Sequence, residues 1–155
     1  MITVDSLPKD LVRDLAGRDL VVFDGECVLC SWVFQFLLRH DKDRRFSFVV
    51  AQSDLGGALY EALEMSKTDF ETVLVFYGGK VHTHLNGFAA MMHALGGAWS
   101  VLSVCRYLPR FIKDPLYYVI ARNRYRIFGR FDTCMIPDAS VRARFLDVYE
   151  AKTAL

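Results

Sequence analysis

Cys27 and Cys30 stand three residues apart in the stretch "DGECVLC", beside the carboxylates of Asp24 and Glu26. Such a cluster suits a redox pair, half of a metal site, a carboxylate nucleophile loop, or a turn entering a helix. On a helix, thiols at this spacing share one face and lie within reach of a disulfide. The N-terminal cysteine gains most from that position. Unpaired backbone N–H groups and the helix dipole favour its thiolate and draw its pKa from ~8.5 toward ~3.5–7.5. Cys27 is therefore expected to be the nucleophile and Cys30 the resolving thiol. Cys27 attacks a substrate disulfide, a mixed disulfide forms, and Cys30 displaces the product while closing the CxxC bridge. Run backwards, the same steps make the protein an oxidant. Asp24 is a candidate to accept or return the Cys30 proton. Asp24 and Glu26 also suit turn-forming or capping work around Gly25, and the sequence leaves that choice open.

Two rival chemistries are weaker. A strand ending in "FDGE" resembles the aspartate nucleophile loop of haloacid dehalogenase-type phosphatases, with Glu26 as the second carboxylate. The usual threonine after it is replaced by Cys27, and no convincing downstream lysine and acidic pair follows. The other rival is a non-catalytic metal-binding or partner-binding module. Two thiolates with Cys105, Cys134, His82 or His84 would complete a tetrahedral zinc site. No second CxxC and no HxxxH is present, so this is half a zinc signature.

The elements that must position the cysteines are legible around them. Leu20–Phe23 is a short continuous apolar run, the pattern of a strand buried on both faces. Behind it Leu29, Trp32, Val33, Phe36 and Leu37 recur at helical spacing, predicting a helix that ends near Arg39 and His40 with Trp32 and Phe36 at core positions. Phe46–Val50 reads as a second strand, and "DLGGALYEALE" as a modest helix. Thr72–Tyr77 and Val81–Leu85 flank "GGK" as a β-hairpin. A helix from about Gly87 to Leu95 closes the order β-α-β-α-β-β-α. Residues 98–155 are expected to be helical, with Pro109, Pro115 and Pro137 at starts or breaks. The uncharged stretch Gly87–Cys105 is read as two buried helices hinged at Gly96-Gly97 rather than a membrane span, with Cys105 in the core. His40 and His93 are expected at a helix end and in packing. A single domain over 1–155 follows, with a core at about 19–97 and the helical extension packed on it.

The chain has 155 residues, 53% apolar, and a net charge of +1. This composition describes an ordinary globular protein. Residues 105–155 hold ten basic and five acidic residues, against nine and thirteen in 1–104. That balance is too mild for a nucleic-acid footprint. The N-terminal segment lacks the pattern of a secretory or transit signal, which predicts a cytoplasmic protein. In a reducing compartment a close cysteine pair is more often catalytic or metal-binding than structural.

The chain resembles the DCC family of predicted thiol-disulfide oxidoreductases (DUF393), named for DxxCxxC, which falls here on Asp24, Cys27 and Cys30. "FDGECVLC", "AQSDLGG", "ALGGAW" and "IARNRYRIFGRFDTC" with the following "IP" resemble family segments in the same order, over about 20–147. The resemblance implies a thioredoxin-like α/β fold, matching the β-α-β-α-β-β-α order, with a helical C-terminal extension. Thioredoxins place a cis-proline before the third strand, and "DFETVLVF" has none. Arg122, Arg124, Arg126 and Arg130 with Tyr125 put a basic, aromatic-bearing helix before Cys134. Folded over the CxxC, Arg124, Tyr125 and Cys134 would support the thiolates or hold an anionic thiol substrate. Equally, Arg124 and Tyr125 would anchor the extension. The expected partner is a protein or small-molecule thiol or disulfide, with no bound organic cofactor.

Overall fold

The run Leu20–Phe23 lies in the middle of a mixed sheet. The computed structural model describes residues 2–15, 17–67, 70, 72–130 and 138–147. The elements are β1 (Ile2–Thr3), α1 (Lys9–Leu15), β2 (Asp19–Phe23), α2 (Val28–His40), β3 (Phe46–Val50), α3 (Asp54–Ala62), β4 (Leu74–Tyr77), β5 (Lys80–His82), α4 (His84–Leu95), α5 (Arg110–Phe128), α6 (Ala139–Arg142) and β6 (Phe145–Asp147), with 3-10 turns at Val4–Ser6 and Gly97–Tyr107. Among the described residues six strands pair in the order β1-β5-β4-β2-β3-β6. β2 is parallel to β3 and antiparallel to β4, so the strand leading into the cysteines is held on both edges.

Because side chains alternate along a strand, β2 feeds two cores. Val21 and Phe23 pack with Phe34 and Leu37 of α2 and Met91 of α4. Leu20 and Val22 pack on the other face with Leu11 and Leu15 of α1 and Leu59 and Tyr60 of α3. The β-α-β-α-β-β-α order is thus observed from β2 to α4, a thioredoxin-like arrangement with helices on both faces. The hairpin turns through Gly78 and Gly79 at φ of 58° and 73°, the left-handed geometry that a two-residue hairpin requires.

Gly56 shows how closely α3 approaches the sheet. A Cβ added there would lie 2.8 Å from the Ala51 carbonyl oxygen and nearer still to that of Val50, whereas Gly57 beside it faces open space. Gly56→Ala is expected to cost about 1–3 kcal/mol by overpacking. Gly57→Ala should instead stabilise by about 0.8–1 kcal/mol through helix propensity. Urea unfolding of both variants checks the contrast, and equal shifts would contradict it.

The structure departs from the sequence reading in four places. The second hairpin strand stops at His82, and His84 and Leu85, expected in that strand, open α4 three residues before Gly87. Trp32 is 59% exposed, and Phe34 takes the core position, ringed by Phe23 and Phe48. The second of the two expected buried helices is instead a 3-10 run, Gly97–Tyr107, whose Val101 and Val104 face solvent; Cys105 in it is only partly covered. Gly96 makes the break at φ of 68°. The C-terminal part is not all helix, since β6 returns to the sheet parallel to β3. The Asp41 carboxylate secures that return: it accepts from the backbone N–H groups of Arg45 and Phe46, each at 3.0 Å, and pairs with Arg144 just before β6. Pro109 precedes α5 as expected, Pro115 lies inside it, and Pro137 falls outside the described residues. No helix among the described residues is long and apolar enough to cross a membrane.

Candidate active site

Buried β2 ends at Phe23, and the chain turns from Asp24 to start α2 at Val28. Asp24 organises that turn. Its Oδ1 accepts the Glu26 N–H at 2.9 Å and the Gln52 side-chain amide at 2.6 Å, while Gln52 Oε1 accepts the Gly25 N–H at 3.1 Å. Gln52 follows β3, so two parallel strands are joined through one side-chain amide. Sequence alone does not mark Gln52 as a site residue. The only signal was its place in "AQSDLGG".

Cys27 is the cap of α2. Its Sγ accepts the Cys30 N–H at 3.3 Å, where a serine or threonine oxygen would usually sit. The Cys30 thiol also donates to it. That side-chain hydrogen bond is the largest cause that brings the Cys27 pKa down to about 7; the Cys30 backbone N–H and the Arg124 charge add to it, against burial and the Asp24 carboxylate. Cys30 moves the other way. Its bond to Cys27, then burial, hold its thiol well above the ordinary range. The pair is therefore one thiolate-prone sulfur and one retained thiol, close but not bonded.

α5 crosses this turn and supplies the cation. Arg124 is buried and donates to Asp24 Oδ2 at 3.2 Å, to the Phe70 carbonyl at 3.1 Å and to the Ala121 carbonyl at 2.9 Å. The Tyr125 hydroxyl donates to the same Asp24 oxygen, and burial followed by the Asp24 contact pushes its pKa up. Asp24 is only 1% exposed, and four donors occupy its two oxygens. Beyond α5, Gly129 at φ of 94° redirects the chain so that Arg130 pairs with Cys27 as an antiparallel bridge. Arg130 Nε also donates to Glu26 at 2.8 Å. This strap leaves Cys27 with no exposed surface, whereas Cys30 keeps 8%.

Asp24, Cys27, Cys30, Arg124 and Tyr125 thus meet at one point. Arg122 and Arg126 face outward on α5, and Cys134 lies outside the described residues. Of the suggested metal ligands, His84 packs against Tyr117 and Tyr118. Among the described residues no group of three or more His, Cys, Asp or Glu side chains is placed to hold a metal.

Fold and site together define a thioredoxin-like α/β protein with a CxxC at the junction of a central strand and its helix. The chain belongs to the DCC1-like thiol-disulfide oxidoreductase family, whose model matches residues 21–130. It is 32% identical over 127 residues to the uncharacterized protein YuxK of Bacillus subtilis, covering 82% of this chain and 93% of that one. It is 29% identical over 118 residues to the chloroplastic DCC family protein At1g52590 of Arabidopsis thaliana, covering 76% of this chain and 69% of that one. No solved structure matches.

Proposed function

We propose that the protein catalyses thiol-disulfide exchange by opening and closing a bridge between Cys27 and Cys30. The observation that carries this reading is the division of labour between the sulfurs. A thiol held by Cys30 stabilises a thiolate on Cys27, which is what bridge closure needs on one side and a good leaving group needs on the other. Within the pair, Cys27 is the sulfur that attacks Cys30 as the bridge closes and leaves it as the bridge opens. Arg124 favours ionisation of both sulfurs and Asp24 opposes it, so their ion pair sets the charge around the bridge while anchoring α5. Asp24 and Tyr125 are positioning residues in this scheme. A reducing compartment such as the cytoplasm suits a pair that must be cycled.

Mild oxidation of the purified protein is expected to remove two thiols and yield a Cys27-Cys30 peptide by mass spectrometry. Stoichiometric zinc that protects those thiols would establish the metal-binding reading instead. In the reduced protein, ultraviolet thiolate absorbance should rise with pH around a midpoint of about 7. Thiolate forms as pH rises, so removing the Cys30 donor by Cys30→Ala should move that midpoint upward. A midpoint unchanged in Cys30→Ala would mean that the bond between the thiols does not set it.

A further inference from the structure

Beside the pair lies a cavity of about 350 Å³ between α2, α4 and α5. Its wall is apolar almost throughout, formed by Phe23, Val33, Phe88, Met91, Leu116 and Ile120 among others. Cys30 opens onto it and Cys27 does not. Arg124 also reaches it, but its guanidinium is held by Asp24, so the cavity offers little to a highly charged guest. Leu116 and Ile120 are 50% and 41% exposed, which puts them on the outer rim. The volume suits a small organic molecule, and a concave apolar wall with one reactive group is the usual form of such a site.

Resting on the exchange function above, we propose that the substrate is a small apolar dithiol, or its cyclic disulfide, that enters this cavity and reacts at Cys30. Starting from the bridged protein, a substrate thiolate attacks Cys30 Sγ. A substrate-Cys30 disulfide forms, the Cys27–Cys30 bond breaks, and Cys27 departs as the stabilised thiolate. The second substrate thiol, deprotonated, attacks the substrate sulfur of that mixed disulfide. The cyclic disulfide leaves, and Cys30 takes a proton. The substrate loses two electrons and the CxxC gains two; of the two substrate protons, one ends on Cys30 and the other on solvent or Cys27. The reverse sequence reduces the cyclic disulfide. The first encounter is therefore at Cys30, not at Cys27 as the helix position alone suggests.

The test is single-turnover reduction of the full-length bridged protein by dihydrolipoamide, an apolar dithiol, and by the more polar dithiothreitol. Each rate is divided by the same dithiol's rate with a small open-chain disulfide in free solution. Dihydrolipoamide is expected to be preferred by at least about tenfold, the scale of burying a few methylene groups. Filling the rim with Ile120→Trp or, separately, Leu116→Trp should abolish the preference, folding of each variant being checked by its urea midpoint. Equal normalised rates in the wild type, or a preference surviving in both folded variants, would overturn the proposal. So would faster reaction with a reduced unfolded protein than with dihydrolipoamide, which points to a protein substrate. Failure to form the Cys27-Cys30 bridge at all would sink the exchange function itself and is seen before any dithiol is added.

Discussion

Replacing Arg124 by methionine should destabilise the protein by about 3–5 kcal/mol, the usual result of removing one partner from a buried ion pair. The side chains of Arg124 and Asp24 are 5% and 1% exposed, so water cannot take over the solvation that the guanidinium provides. The methionine also leaves the carbonyls of Phe70 and Ala121 without this donor. Urea unfolding at unchanged m-value reads the loss directly. The double variant Asp24→Leu with Arg124→Met should recover much of it, because no charge is then stranded. A loss below about 1 kcal/mol for Arg124→Met would mean that the pair does not hold α5 down. Redox chemistry should respond as well. Taking away a positive charge disfavours the thiolate, so the Cys27 midpoint moves up from about 7.

The second large effect concerns which sulfur meets a substrate. Offered a small apolar disulfide, Cys27→Ser should accumulate a mixed disulfide on Cys30 at least about tenfold faster than Cys30→Ser accumulates one on Cys27. Two causes act together. The strap through Gly129 and Arg130 covers Cys27, while Cys30 faces the cavity. The variant also removes the bond to Cys27 that is the largest cause of the raised Cys30 pKa, so Cys30 ionises more readily there than in the intact pair. Intact mass measured over time follows both variants. The opposite order would restore the assignment suggested by the helix start, in which Cys27 attacks first and the strap must lift.

Legibility in the sequence followed the range of each physical signal. Leu20–Phe23, the "GGK" turn and the strand-to-helix change at "DGEC" are local patterns and stand where the sequence places them, whereas the second hairpin strand gives way to α4 at His84. Trp32 fits the apolar spacing as well as Phe34 does, but the buried face of α2 runs through Cys30, Phe34 and Leu37, which leaves Trp32 outside that face, against Phe128. β1, with two residues, and β6, with three, are too short to show alternation. Their pairing is decided by β5, by β3 and by the Asp41–Arg144 contact. In the site, the cysteine spacing announced the chemistry and the basic "RNRYR" helix announced a cation. That Arg124, and not Arg122 or Arg126, carries the charge inward depends on helix phase against Asp24. The cavity is a property of three helices together, and no segment of the chain displays it alone.

The Asp24–Arg124 contact spans 100 positions of sequence. A chain synthesised from its N-terminus therefore completes β2, α2 and the CxxC long before the guanidinium exists to neutralise Asp24 or the strap exists to cover Cys27. During that interval the cysteines sit beside an uncompensated carboxylate, which disfavours their thiolates. Arrival of α5 brings the positive charge, the wall of the cavity and the cover at once. Reactivity of the pair is thereby tied to completion of the fold, and a chain cut before α5 would have the motif without its electrostatic setting.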